Sequence, residues 1–133
     1  MVDPAAARRE AARRLAVSSI PSTALDRICE LAASLLDAES AQVSLISDVQ
    51  TVAGGAGAAN MVVGLESPAR DSLCTVTVGL GAPLPVADAA RDDRVRTLPP
   101  VTSGDVGAYL GVPLTSSGGH VVGALCVYHP RPR

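Results

Sequence analysis

Cys74 sits in "SPARDSLCTVTV" (Ser67 to Val78), behind a Ser-Pro start, an arginine and an Asp-Ser pair. A cysteine so placed has three uses: nucleophile, chromophore anchor, or packed core. If Asp71 caps a helix, Cys74 falls in its first turn, where the helix dipole favours thiolate. The charge of Asp71 itself works against that. A cysteine nucleophile also wants a histidine base, and the only histidines are His120, at a hairpin, and His129, near the C-terminus. Neither is tied to Cys74 by local spacing, so a buried or pocket-lining thiol is the expected role. Of the other two cysteines, Cys29 lies on an apolar helical stripe and Cys126 in an apolar strand. No CxxC or CxxxC pair points to zinc, and the odd count favours free thiols.

Other chemistry is thinned out by composition. All 11 basic residues are arginine, and Phe and Trp are absent. Without lysine there is no Walker A lysine, Schiff base or lysine general base. With Tyr109 and Tyr128 as the sole aromatics, base-stacking platforms and aromatic cages lack their parts. A net charge of -2 leaves no nucleic-acid footprint. No apolar run approaches the roughly 20 residues that span a bilayer, and no signal-peptide h-region is present, so a cytoplasmic protein is expected. The acidic trio Asp88, Asp92 and Asp93 lacks EF-hand spacing and alternates with Arg91, Arg94 and Arg96, which suits caps and surface ion pairs better than a cation.

The elements that must hold these residues can be read along the chain. A length of 133 residues suits one domain with a true core. "DPAAARREAARRLAV" has an Asp cap, Pro at the first helical position and strong helix formers. "SSIPST" breaks that helix, and Thr23 with Asp26 resembles a capping box. Leu25, Ile28, Cys29, Ala32, Leu35 and Leu36 then recur at helical spacing, with Leu31 widening the apolar face. "AQVSLISD" alternates as a strand, and "QTVAGGAG" is a second strand decaying into glycine. "GAGAAN" holds two glycines of a dinucleotide fingerprint but no βαβ context, so a loop is expected.

"CTVTVGL" is ambiguous: four consecutive β-branched residues favour a strand, whereas the preceding Ser67-Pro68 or Asp71-Ser72 favour a helix start. "APLPVADA" reads as a brief strand, and "ARDDRVRTLPPVTSGD" as a polar connection hiding one helical turn. "GAYLGVPLTS" and "HVVGALCVYH" flank "SGG" as a hairpin. Tyr109 shares a strand face with Gly111, and Leu110 with Val112. Hairpin-linked strands with helices predict an antiparallel α+β fold.

Four stretches in this order, "LDRICELAASLL" running into "QVSLIS", "RDSLC", "PLPVADAARDDRV" and "YLGVPLTSSGGHVVGALCVYHPRP", resemble the GAF family of small sensory domains. The resemblance divides the chain into an N-terminal helix and linker (1–21) and a GAF-like domain (22–133). It implies a PAS-related central antiparallel sheet of five or six strands with helices on both faces, and a helical Cys74 segment. It also implies a small pocket, with Cys74, Val78, Arg94 and Tyr109 as candidate ligand-binding residues and no metal ligands. Family members finish with a helix beside the first one. "HPRPR" supplies none, which implies a truncated end or a parent protein continuing past Arg133.

The function so implied is a non-catalytic sensory or regulatory domain of a bacterial signalling protein. It would bind a small ligand of unknown identity and pair as a homodimer through the Ala-Arg-rich helix. A fused effector of histidine kinase, serine phosphatase or cyclase type would be controlled, with no nucleic-acid or membrane partner. The alternative is a free methionine sulfoxide reductase of GAF type, or a thiol redox sensor, using Cys74. Against the reductase stand the placements of Cys29 and Cys126 and the lack of Trp or Phe to hold a sulfonium-like methyl. A bilin anchor is disfavoured because Thr75, not histidine, follows Cys74. Haem would need His120 or His129 at wet strand ends, and a cyclic-nucleotide signature built on Lys and Phe is absent.

Overall fold

The computed structural model describes residues 3–16 and 22–133. Helix α1 (Pro4–Ala16) begins at Asp3, whose carboxylate accepts from Ala5 N at 3.0 Å. Its small apolar side buries Ala12, and the helix packs on strands β1 and β6 of the sheet described below. The expected break at "SSIPST" falls largely outside the described residues.

Helix α2 (Ser22–Leu35) follows. Asp26, read as half of a capping box, instead accepts from Gly55 N at 2.9 Å and ties the helix to the sheet. The helix ends at Asp37, which takes a left-handed conformation (φ 51°) that short polar side chains tolerate. The bond from Ala38 N to Ala33 O (2.8 Å) closes that last turn. Arg133 and His129 then reach back to its free carbonyls: Arg133 Nη1 donates to Leu36 O at 2.8 Å, and His129 Nε2 lies 2.8 Å from Asp37 O.

The sheet comprises β1 (Ser40–Ile46), β2 (Val49–Ala56), β3 (Glu66–Pro68), β4 (Leu84–Val86), β5 (Ala108–Thr115) and β6 (Val121–His129). Its order is β3-β2-β1-β6-β5-β4, antiparallel throughout. The expected α+β architecture is therefore present, with six strands. Strand β3 was not anticipated, because three exposed residues carry no alternation.

Strand alternation splits the core in two. Ala41, Val43 and Val127 face α2 around Cys29, whereas Ile46, Ala124, Cys126 and Tyr109 face helix α3 (Leu73–Leu80). Helix α2 comes close because Gly54 opposes it; a Cβ there would stand 2.5 Å from Leu25 Cβ. The predicted apolar stripe is used only in part, beginning with Leu25 against Gly54. Cys29, Ala32 and Ala33 meet the sheet, while Ile28, Leu31, Leu35 and Leu36 remain largely exposed. Among the described residues, no helix is long and apolar enough to cross a membrane.

Candidate functional site

The ambiguous segment "CTVTVGL" is helical. Ser72 supplies the cap, its Oγ accepting from Cys74 N at 3.1 Å, and Gly81 ends the helix in left-handed conformation (φ 67°). An N-cap hydroxyl and tertiary packing thus override four β-branched residues. Ser72 Oγ also donates to Gln50 Oε1 on β2, which fixes the start of α3 against the sheet.

Docked in this way, α3 places Cys74 over β6. Cys74 Sγ lies 3.6 Å from Cys126 Sγ, and each cysteine is 2% exposed. A disulfide bond is about 2.05 Å long, so the two sulfurs are in contact but not bonded. Tyr109 Oη donates to Cys74 Sγ at 3.4 Å and is 2.8 Å from Thr77 Oγ1. Gln42 Nε2 donates to Ser44 Oγ at 2.7 Å on the same sheet face.

These neighbours separate the two thiols electrostatically. Hydrogen bonding with the Cys126 thiol lowers the pKa of Cys74; burial opposes this, Tyr109 and Ser44 add to the lowering, and Ser72, whose proton goes to Gln50, contributes least. Cys126 moves the other way, well above the ordinary thiol value, through its bond to Cys74 and through burial. Cys74 is thereby the more acidic thiol of the pair and Cys126 the less acidic. Cys29, on the other face, is pushed up to about 11 by burial and then by the charge of Asp26.

The pair forms part of the wall of a cleft of about 580 Å³ that lies between the sheet, the start of α3 and helix α4 (Pro99–Thr102). Val52, Val62 and Leu65 give it an apolar side, and Glu66, Asp71 and Asp105 supply carboxylates. None of these three carboxylates is in an ion pair among the described residues. Tyr128 also lines the cleft, its phenol pushed up to about 12 chiefly by burial, with the Asp105 charge a minor contributor.

The four candidate ligand-binding residues are thus distributed. Cys74 and Tyr109 line the cleft. Val78 is packed in the core behind it, 2% exposed. Arg94 lies outside, donating to Asp92 Oδ2 at 2.6 Å and to the Pro85 carbonyl at 3.1 Å. Arg91 pairs with Asp88 and Arg96 with Asp93, so each member of the acidic trio has an arginine. His120 and His129 do not line the cleft.

Cys126 is the residue that sequence reasoning missed. One local signal was available: a regular hairpin around "SGG" sets Cys126 opposite Gly111, beside Tyr109 on one face. Its distance to Cys74, 52 residues earlier, is purely tertiary.

Comparison with known proteins places this geometry. No curated protein matches the sequence, but a family model described as the GAF domain matches residues 21–133. Among solved structures, the chain is similar to the GAF domain of an Acinetobacter phosphoenolpyruvate-protein phosphotransferase. The TM-score is 0.68 at 16% identity, over 100% of this chain and 81% of that one. It is also similar to the free methionine-R-sulfoxide reductase of Neisseria meningitidis, solved with its substrate (TM-score 0.64, 16% identity, 99% and 78% covered). A third is the type II free methionine-R-sulfoxide reductase of Thermoplasma acidophilum (0.64, 12%, 94% and 79%).

The expectation of a domain without catalytic activity is corrected by these findings. Its basis was that no histidine base was tied to Cys74, that Cys29 and Cys126 lay in apolar elements, and that Trp and Phe were lacking. The fold brings the two sulfurs together, and enzymes that reduce sulfoxides share the fold. With its six-stranded antiparallel sheet, helices on both faces and a family match across most of its length, the chain belongs to the GAF domain family.

Proposed function

We propose that this GAF domain is a thiol oxidoreductase that reduces a small sulfoxide, in the first instance free methionine sulfoxide. The observation that carries this reading is the 3.6 Å separation of Cys74 Sγ and Cys126 Sγ at the cleft wall. Cys74 Sγ attacks the sulfoxide and takes its oxygen, so that the thioether leaves and Cys74 becomes a sulfenic acid. Cys126 Sγ then attacks that sulfur, forming the disulfide and releasing water. An external dithiol reduces the disulfide and is itself oxidised. The cleft suits such a substrate: Val52, Val62 and Leu65 offer an apolar wall, and Glu66, Asp71 and Asp105 offer partners for an ammonium group. The two reductases of this fold support the choice of substrate.

The test is methionine formation from each epimer of free methionine sulfoxide, with dithiothreitol as reductant. One epimer is expected to turn over. Cys74→Ser should reduce the rate by ~10³-fold or more, as loss of a nucleophile does, while Cys29→Ala changes it little. No methionine from either epimer, with the thiols verified as reduced, would overturn the reading.

A second reading is favoured by the deep burial of both sulfurs and by the similarity to a GAF sensor protein from Burkholderia vietnamiensis. The same pair would then be a redox sensor, oxidised without substrate turnover. It would control a fused effector of histidine kinase, serine phosphatase or cyclase type, in a homodimer. Rapid oxidation of the pair by peroxide without methionine formation would select it.

A further inference from the structure

The hydroxyls around Cys74 are not equivalent. Ser44 Oγ accepts from Gln42 Nε2, which leaves its own proton for the Cys74 sulfur. Tyr109 stands differently. Its Oη has one proton and two neighbours, Cys74 Sγ at 3.4 Å and Thr77 Oγ1 at 2.8 Å. Thr77 Oγ1 is in turn 3.5 Å from the Leu73 carbonyl. Two settings of these hydroxyls are self-consistent. In one, Tyr109 donates to Thr77 and Thr77 donates to Leu73 O. In the other, Thr77 donates to Tyr109, and the phenol proton turns to Cys74.

The phenol reaches this point because Gly111 has no side chain. Tyr109 and Gly111 share one face of β5, and Gly111 pairs with Cys126 on β6. A Cβ at Gly111 would fall against both Tyr109 Oη and Thr77 Oγ1. The notch lets the ring fold back along its own strand, towards the start of α3. All four groups are enclosed: Thr77 is fully buried, Cys74 and Cys126 are nearly so, and Tyr109 is 5% exposed.

We infer that Tyr109 is a positioning residue for Cys74, turning its proton from Thr77 to the Cys74 sulfur as that thiol ionises. The inference rests on the thiol reading of the site given above. The groups facing Cys74 are Cys126 and Tyr128 on β6, Tyr109 on β5, Ser44 on β1 and Ser72 at the start of α3. Among the described residues, no arginine or histidine lines the cleft, and Glu66, Asp71 and Asp105 bring negative charge to it. Neutral donors therefore supply the stabilisation of the thiolate, in a low-dielectric setting where each counts for more than in water. Burial holds the Tyr109 phenol far above its ordinary value, so it remains a donor throughout the range in which Cys74 titrates.

The experiment is the pH dependence of Cys74 alkylation by iodoacetamide in the full chain, followed at that residue by peptide mass mapping. Tyr109→Phe keeps the ring and removes the donor. Its midpoint should rise by about one unit, meaning about tenfold less thiolate at neutral pH. Thr77→Val removes the competing acceptor and leaves the phenol proton to Cys74, so its midpoint should fall; an unchanged midpoint there overturns the inference if the phenylalanine variant does not fold. An unchanged midpoint in a folded variant overturns the inference, because a merely structural tyrosine would leave the titration untouched. Failure of the underlying reading is separately visible: the parent would then titrate at an ordinary thiol value, near ~8.5, and turn over no sulfoxide.

Discussion

Cys29 and Cys74 are buried to the same degree on opposite faces of one sheet, and their thiols are displaced in opposite directions. On the α2 face, Cys29 is packed among alanines with Asp26 as its charged neighbour, so ionisation is penalised twice. On the α3 face, Cys74 meets a second thiol and the hydroxyls of Tyr109 and Ser44, and these donors outweigh the penalty of burial. Burial alone therefore says nothing of reactivity in this fold. The donors a face presents decide it.

Oxidation provides the largest expected contrast. Diamide should join Cys74 to Cys126 and leave Cys29 free, which peptide mass mapping reads directly. A bond across their 52-residue separation should make the oxidised protein more stable by up to about 4 kcal/mol in chemical denaturation. A mixed pairing through Cys29, or no gain in stability, would break the contrast between the faces.

Alkaline unfolding sharpens it next. The Cys29 thiol is raised in the folded state, so its stabilisation is complete below the unfolded value and is lost as pH rises to about 11. Between pH ~8.5 and that limit, the parent should lose roughly 2–3 kcal/mol more than Cys29→Ala does. Parallel pH profiles for the two proteins would show that Asp26 and burial do not act on Cys29 as described.

A smaller effect tests whether the faces are independent. In Gly54→Ala the new Cβ meets Leu25, with no space to accept it. Overpacking of that kind should cost about 2 kcal/mol and leave the alkylation midpoint of Cys74 unchanged. A shift at Cys74 would mean that strain on α2 passes through the sheet.

The antiparallel α+β class and the β5–β6 hairpin were legible from apolar strand segments flanking polar turns, whereas the strand order rests on long-range pairing that no local pattern states. Helix α2 was legible in extent but not in contact. Periodicity marked its apolar side chains, yet the sheet received Leu25 against Gly54 and then Cys29, Ala32 and Ala33, while the larger Ile28, Leu31, Leu35 and Leu36 stayed outside. At the site, the pairing of Tyr109 with Gly111 followed from strand period, and the structure sets both on the cleft side. The partnership of Cys74 with Cys126 did not follow. It depends on how α3 docks, which the Ser72 to Gln50 bond and the packing of Leu73 and Val78 establish, and no local pattern encodes that.

That dependence also orders events in time. Strands β1 and β6 pair Ser40 with Tyr128, so the central sheet joins only when distant parts of the chain meet, and contacts of this span form late and slowly. A chain still being synthesised has three ordinary, separated thiols and no hydroxyl shell around any of them. The acidity of Cys74 and its partner arrive together, as properties of the closed sheet. The labelling rate at Cys74 is thus a clock for the completion of folding, started by the protein's own architecture.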